Sequence, residues 1–214
     1  MCNMLRWVQG SQALLLGTVF LLLFMLIIPR ESVASNSDLS SMDVQAVIRA
    51  VYEGNNDYLT RLIEKYDGEV LGVKLPTKKG GVGLLLIASA KGNVDIVNTL
   101  LSYGADVNEI GLGGYRSIHN AAVNCNLALT KLLVVSGAEL DAQTDLGITP
   151  LMGAAILGCK DVLLELLNHG ADTQILSNEG RTALDYAKIK GWVEITKLLE
   201  AADVGNKPKS IVGQ

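Results

Sequence analysis

A fixed interval of 33 residues constrains this chain more than any other feature of its sequence. Three independent columns keep that interval: glycines at Gly81, Gly114, Gly147 and Gly180, alanines at Ala88, Ala121, Ala154 and Ala187, and Gly-Ala pairs at Gly104-Ala105, Gly137-Ala138 and Gly170-Ala171. Because three columns share one period, the chain is predicted to fold as a stack of short units, each packed on its neighbours. A stack of this kind presents an elongated surface rather than a catalytic pocket.

Composition agrees with thin helical layers and excludes one class of partner. Hydrophobic residues make up 49% of the 214 residues but aromatic residues only 5%, so the core consists mainly of Ala, Leu, Val and Ile. The formal net charge is -4. An acidic chain with few rings for base stacking is poorly suited to phosphate backbones, so we expect no nucleic-acid partner.

The first 34 residues have the pattern of a secretory signal. Arg6 precedes an uncharged apolar run over 13–28, and the small residues Ser32 and Ala34 follow it. We therefore predict cleavage between Ala34 and Ser35, and a periplasmic or secreted mature protein of a bacterium. The alternative is an uncleaved anchor in the inner membrane that leaves the rest of the chain in the periplasm.

The period also divides the remainder of the chain. We predict a linker over 35–41, an N-terminal capping helix pair with its loop over 42–79, and three regular repeats over 80–112, 113–145 and 146–178. A C-terminal capping repeat over 179–203 and a disordered tail over 204–214 complete the division. Five residues in excess of the period lie before Gly81, where we expect a long mobile tip on the first hairpin.

The third regular repeat carries a recognisable motif. Gly147-Ile148-Thr149-Pro150-Leu151 is followed by Ala154, by Gly158 and, after an apolar helix, by Gly170-Ala171-Asp172. This pattern resembles the ankyrin repeat, and the resemblance covers about residues 43 to 202. It implies an all-α repeat solenoid, made of helix-turn-helix units joined by β-hairpin-like loops. It also implies that His119 holds the neighbouring loop by a hydrogen bond.

Residues suited to chemistry are scarce. The chain has two histidines, His119 and His169, and its repeat geometry forces no Ser/His/Asp or Cys/His group together. A metal site would need several converging ligands. We therefore predict no enzymatic activity, no metal, no cofactor and no small-molecule substrate.

Two cysteines remain after the predicted signal, and their state is open. Cys125 replaces the glycine of the inter-helix turn that other repeats have at Gly92, Gly158 and Gly191, and Cys159 lies one residue past that turn in the next repeat. Packed helices lie roughly 10 Å apart, whereas a disulfide needs Cα atoms within about 7 Å. The two residues form a disulfide if the turns lean together, and otherwise remain separate thiols.

The resemblance places the binding surface on the hairpin tips and on the exposed side of the first helix of each repeat, a concave face. Many residues predicted there are apolar, and a contiguous apolar strip marks a binding site. The predicted strip comprises Ile110, Leu112, Tyr115, Leu146, Ile148 and Leu176 with Ile175 on the hairpins, Val123, Ile156, Leu157 and Ile189 on the helices, and the charged Asp145 and Arg181. The alternative for any one of them is packing between repeats.

The sequence thus predicts a non-enzymatic protein-interaction module of the cell envelope. Two narrower hypotheses remain beside this one. The first is an immunity or inhibitor protein for a toxic enzyme. The second is a protective or assembly factor for a periplasmic oxidative-defence enzyme, suggested by small exported bacterial ankyrin proteins that this chain resembles.

Overall fold

The computed structural model describes residues 41–77 and 80–205. The predicted signal, its cleavage between Ala34 and Ser35, most of the linker and the tail from 206 lie outside the described residues. Within the described residues, no helix combines the length and the apolar character needed to cross a membrane.

Helices dominate the described part of the chain, and they come in five pairs. In chain order they are α1 Ser41–Glu53 and α2 Asn56–Lys65, α3 Leu84–Lys91 and α4 Val94–Ser102, α5 Ser117–Val123 and α6 Leu127–Val135, α7 Pro150–Leu157 and α8 Lys160–Asn168, α9 Ala183–Lys190 and α10 Val193–Gly205. The first helix of each pair contacts the first helix of the next pair, and the second helices do the same. The pairs therefore stack as two layers, here the first-helix layer (α1, α3, α5, α7, α9) and the second-helix layer (α2, α4, α6, α8, α10). The predicted all-α repeat solenoid is confirmed.

Local sequence explains where the helices begin and end. Thr149 caps α7, because its hydroxyl accepts a hydrogen bond from the amide of Met152 at 3.2 Å. Pro150 follows in the first turn, where its missing amide hydrogen costs nothing. Gly158 then ends α7 with a φ of 81°, a backbone conformation that side chains with a Cβ disfavour.

The alanine column determines how closely the first helices approach one another. Ala88, Ala121, Ala154 and Ala187 are all fully buried between neighbouring repeats. Larger side chains there would force the layer apart, because protein interiors are close-packed. Leucines such as Leu133 and Leu166 fill the wider space between the two layers, and both are fully buried.

The five-residue insertion lies in a stretch with regular structure of its own. A 3₁₀ helix spans Glu69–Gly72, and an antiparallel hairpin follows, made of β1 Lys74–Thr77 and β2 Gly80–Gly83. Lys74 pairs with Gly83, and Thr77 with Gly80. The ammonium of Lys74 also lies 2.7 Å from a carboxylate oxygen of Glu109, which ties this hairpin to the next one.

Two predicted boundaries differ from the structure by one or two residues. Helix α1 begins at Ser41, inside the predicted linker, and α10 continues to Gly205, past the predicted end of the last repeat at 203. The reason is that helix ends depend on local hydrogen bonds, which the 33-residue period does not specify.

Candidate protein-binding surface

Three β-hairpin-like loops connect the repeats, and each is closed by the same backbone hydrogen bond. The bond runs from the amides of Gly111, Thr144 and Ser177 to the carbonyls of Tyr115, Ile148 and Arg181, at 2.7, 3.0 and 2.9 Å. Because donors and acceptors both recur every 33 residues, the three loops repeat one geometry.

Backbone hydrogen bonds also join each hairpin tip to the next. The amide of Asp145 donates to the carbonyl of Gly113 at 2.8 Å, and the amide of Asn178 donates to the carbonyl of Leu146 at 3.1 Å. The side-chain amide of Asn178 adds a bond to the carbonyl of Asp145 at 2.9 Å. The tips thus form one continuous row held by main-chain contacts, so their side chains keep defined positions.

Apolar side chains point into solvent along this row. Leu146 is 67% exposed, although leucine favours burial elsewhere in the chain. We call the exposed apolar residues of the hairpins the tip patch; its members are Ile110, Leu112, Tyr115, Leu146 and Leu176. All five belong to the strip predicted from the sequence.

His119 supports the tip patch from below. Its Nδ1 accepts a hydrogen bond from the amide of Arg116 at 3.1 Å, so the proton is assigned to Nε2, which lies 3.0 Å from the carbonyl of Ala142 and 3.1 Å from that of Ile148. The edge of the ring also meets Tyr115, with 5.7 Å between ring centroids. Burial lowers the pKa of His119 below 6.5, and the nearby Arg116 lowers it further, while the bonds to backbone carbonyls oppose this.

Four apolar residues of the predicted strip are half-buried. Ile148 and Ile156 pack against the core, and Val123 lies against Gly153, where an added Cβ would come within 3.2 Å of the valine Cγ1. Ile175 packs against the core in the same way. For these residues the structure shows the packing alternative, because their positions lie where one repeat meets the next.

The two remaining apolar members lie far from the tips. Leu157 and Ile189 lie at the C-terminal ends of α7 and α9, beside the inter-helix turns and away from the hairpins, and both are exposed. Helix α7 has eight residues, so about 12 Å separates its two ends. The sequence predicts a single strip, but the structure has two patches. The reason is that each first helix has the hairpin at its N-terminal end and the inter-helix turn at its C-terminal end.

The second patch includes a residue that the sequence analysis missed. The indole of Trp192 covers Gly158, and its Nε1 donates to the carbonyl of Ile156 at 3.2 Å. The ring is 43% exposed and lies next to the exposed Val193. We call Leu157, Ile189, Trp192 and Val193 the turn patch. The signal was available in the sequence, because Trp192 occupies the column that holds asparagine at Asn93 and Asn126.

The two charged members of the predicted strip differ in how free they are. Arg181 is paired with Glu179, with 2.6 Å between Nη1 and Oε2, and its guanidinium lies 5.8 Å from the ring centre of Tyr186. Asp145 is exposed at a hairpin tip between Leu146 and the Gly114 turn. Among the described residues Asp145 forms no ion pair, so it presents its charge beside the tip patch, whereas the charge of Arg181 is already paired.

The inter-helix turns of the second and third repeats do lean together. The structure joins Cys125 and Cys159 by a disulfide, with 5.0 Å between their Cα atoms. Cys125 has a φ of 52° in the glycine position of its turn and is exposed. Cys159 is 4% exposed and stands at the N-cap of α8.

The described residues contain no cluster of metal ligands, but they do border a cleft. No group of three or more His, Cys, Asp or Glu there is arranged to hold a metal ion. A cleft of about 350 Å³ lies beneath the first hairpin, bordered by Leu71, Leu100 and the ion pair of Lys74 with Glu109. Lys74 and Glu109 are thus paired with each other, and the carboxylate of Asp106, which also lines the cleft, accepts a hydrogen bond from the amide of Asn108.

Stacked helix pairs with hairpins at regular intervals define a repeat protein. Two family models, both described as ankyrin repeats, match this chain, one over residues 85–134 and the other over residues 118–208. The chain belongs to the ankyrin repeat family, whose members generally mediate protein-protein interaction and are generally not enzymes.

Relatives show how widely this module is used. Cyclin-dependent kinase 4 inhibitor B of Rattus norvegicus is 33% identical over 119 residues, which cover 55% of this chain and 91% of that protein. Protein PhlB of Serratia liquefaciens is 33% identical over 146 residues, covering 67% of this chain and 59% of that protein. Neurogenic locus notch homolog protein 2 of Homo sapiens is 31% identical over 165 residues, covering 77% of this chain but only 6% of that protein.

Proposed function

We propose that this chain binds a protein partner through the tip patch, without catalysis, in the cell envelope. The observation that carries the proposal is the row of exposed apolar side chains on hairpins that main-chain hydrogen bonds join together. Apolar side chains on a preordered backbone lose little conformational entropy on binding, so they favour a specific interface. Tyr115 is the natural anchor of the row, because aromatic residues are frequent among the energetically dominant residues of interfaces.

The charges of the patch favour a protein over other ligands. The chain is acidic overall, and Asp145 adds a negative charge at the tips themselves. We therefore expect a partner surface with an apolar centre and a basic rim, and neither nucleic acid nor a small-molecule substrate.

The test compares three forms of the full chain. Leu112→Asp/Leu146→Asp places charges in the tip patch, and Val135→Asp places one on an equally apolar residue, 79% exposed, at the end of α6 in the second-helix layer. Partners crosslinked to the wild type are identified by mass spectrometry. We expect Val135→Asp to keep them and the tip variant to lose them. A tip variant that remains folded and keeps every partner would refute the proposal.

Inhibition of an enzyme is the second candidate. It is favoured by the match to cyclin-dependent kinase 4 inhibitor B, a protein named as an inhibitor. That match covers 91% of the inhibitor's length. An immunity protein acts in this way on a toxic enzyme, whereas an assembly factor would protect an oxidative-defence enzyme. Deletion separates them, because sensitivity to sibling cells alone indicates immunity and loss of a periplasmic enzyme's activity indicates protection.

Export is part of the proposal. The apolar run over 13–28 and the pairing of Cys125 with Cys159 support it, since disulfides persist in oxidising compartments. The mass of the mature chain tests it. A new N-terminus at Ser35 is expected, and an intact Met1 on a chain recovered from the cytosol would contradict it.

A further inference from the structure

The inter-helix turns differ between otherwise similar repeats. Counted along the period, one column holds Gly92, Cys125, Gly158 and Gly191, and the next holds Asn93, Asn126, Cys159 and Trp192. A residue of the second column lies against the first-column residue of the preceding repeat. We number the contacts as junctions: the first joins Asn126 to Gly92, the second Cys159 to Cys125, and the third Trp192 to Gly158.

The first junction shows what this column does when asparagine is present. The side chain of Asn126 caps α6 by accepting from the amide of Leu129 at 3.0 Å, and its amide nitrogen donates to the carbonyl of Gly92 at 3.2 Å. One residue thus caps its own helix and holds the preceding turn.

The second junction has a covalent bond in the same place. Cys159 makes no side-chain capping hydrogen bond to α8, and its sulfur is joined to Cys125. The disulfide therefore replaces the hydrogen bond by which Asn126 holds Gly92.

We propose that the Cys125–Cys159 bridge is a redox-active site, which a dithiol reductant opens by attack at the sulfur of Cys125. Cys125 is exposed in its turn, whereas Cys159 is 4% exposed, so the approach to Cys125 is the less hindered one. Cys159 stands at the N-cap of α8, a nine-residue helix. The positive end of that helix stabilises a thiolate on Cys159, which makes its sulfur the better leaving group.

The exchange takes two steps and moves two electrons. A thiolate of the reductant bonds to Sγ of Cys125, and the Sγ–Sγ bond breaks with its electron pair going to Sγ of Cys159. The second thiol of the reductant, once deprotonated, attacks the reductant's own sulfur in the mixed disulfide and releases Cys125. The reductant leaves as an intramolecular disulfide, and its two thiol protons end on the two cysteines.

Reduction leaves the second junction without the link that the first junction has. Cys125 then holds a φ of 52° with no bridge to offset that unfavourable conformation, and α8 lacks a side-chain cap. The described stack is therefore loosened between its second and third regular repeats when the bridge opens.

The position of attack is tested on the purified, oxidised full chain with the monothiol glutathione as probe. After an acid quench the chain is denatured, alkylated with N-ethylmaleimide and mapped by mass spectrometry. We expect most mono-adducts to carry glutathione on Cys125 and the alkyl group on Cys159. The reverse pattern would overturn the proposal, and so would two alkylated thiols before any glutathione is added.

The accessibility of the bridge is tested with dithiothreitol. We expect the native chain to be reduced within about a hundredfold of the rate for the urea-denatured chain, because one sulfur belongs to an exposed residue. A native rate slower than that would show a bridge that is only structural, and would overturn the proposal.

The consequence for the stack is tested by thermal unfolding with and without dithiothreitol. We expect the midpoint to fall by about 10 °C on reduction, since the bridge closes a loop of 34 residues. Cys125→Ser/Cys159→Ser is the matched control, and dithiothreitol should leave its midpoint unchanged. An equal fall in that variant, or no fall in the wild type, would overturn the predicted loosening.

Discussion

The first and second junctions hold neighbouring repeats together at the same point by different means. At the first, Asn126 uses two hydrogen bonds, one that caps α6 and one to Gly92. At the second, Cys159 uses one covalent bond to Cys125 and forgoes the cap. A repeat stack can therefore have a covalent bond where another junction has hydrogen bonds. The hydrogen bonds form in any redox state, whereas the stronger covalent bond exists only while the two cysteines are oxidised.

Removal of the bridge should have the largest effect. Cys125→Ser/Cys159→Ser is expected to lower the free energy of unfolding by about 3–4 kcal/mol, because the unfolded chain loses a constrained loop. The measurement is urea denaturation under oxidising conditions. If Cys125→Gly/Cys159→Asn were as unstable as this double serine variant, the two kinds of junction would not be interchangeable.

The companion variant converts the second junction into the first. In Cys125→Gly/Cys159→Asn the glycine accepts the left-handed turn and the asparagine can cap α8, so about 1–2 kcal/mol should be recovered relative to the double serine variant. The same denaturation series measures it, and insensitivity to dithiothreitol is its internal control.

Two glycine substitutions compare the third junction with the first. Gly158→Ala should cost about 2–3 kcal/mol, because the residue has a φ of 81° and its new Cβ would lie 2.8 Å from the ring of Trp192. Gly92→Ala should cost only about 1 kcal/mol, because its neighbour is the side-chain amide of Asn126 at 3.1 Å, which can move. Thermal unfolding of both variants checks this, and equal losses would mean that the backbone conformation alone sets the cost.

Truncation at the first junction should have a smaller effect than removal of the bridge. Asn126→Ala removes the cap of α6 and the bond to Gly92, so we expect a loss of about 1–2 kcal/mol. Denaturation at constant pH measures the loss. Asn98→Ala, on the exposed side of α4, provides a control that should change stability little.

The smallest effect concerns pH and His119, the side chain of α5 that holds the neighbouring hairpin. Because burial lowers the pKa of His119, the unfolded chain takes up a proton at this residue more readily than the folded chain. The stabilising contribution is therefore complete above pH 6.5 and is lost as the pH falls below that value towards the lower folded pKa. Denaturation at pH 7.5 and pH 5.5 should show the decline, and His119→Gln should reduce it; an unchanged slope in the variant would assign the decline to other groups.

The features that recur with the period are the most predictable from the sequence. The alanine column, the cap at Thr149 and the glycine turn at Gly158 each have a local physical cause, so the fold and its repeats were predictable. The exposure of the residues in the predicted strip was predicted less well, because exposure depends on the neighbouring repeat: Ile148 and Leu146 are two residues apart, yet the first packs against the core and the second is 67% exposed.

By itself, then, the sequence determined the period, the helix pairs and the hairpins that carry the apolar tips, because spacing and caps act over a few residues. Only the tertiary structure decided three further features: that one expected strip is two patches, that Trp192 covers Gly158, and that Cys125 and Cys159 meet. All three depend on how one repeat is placed against the next, and contacts across about 33 residues are set by packing rather than by local preference.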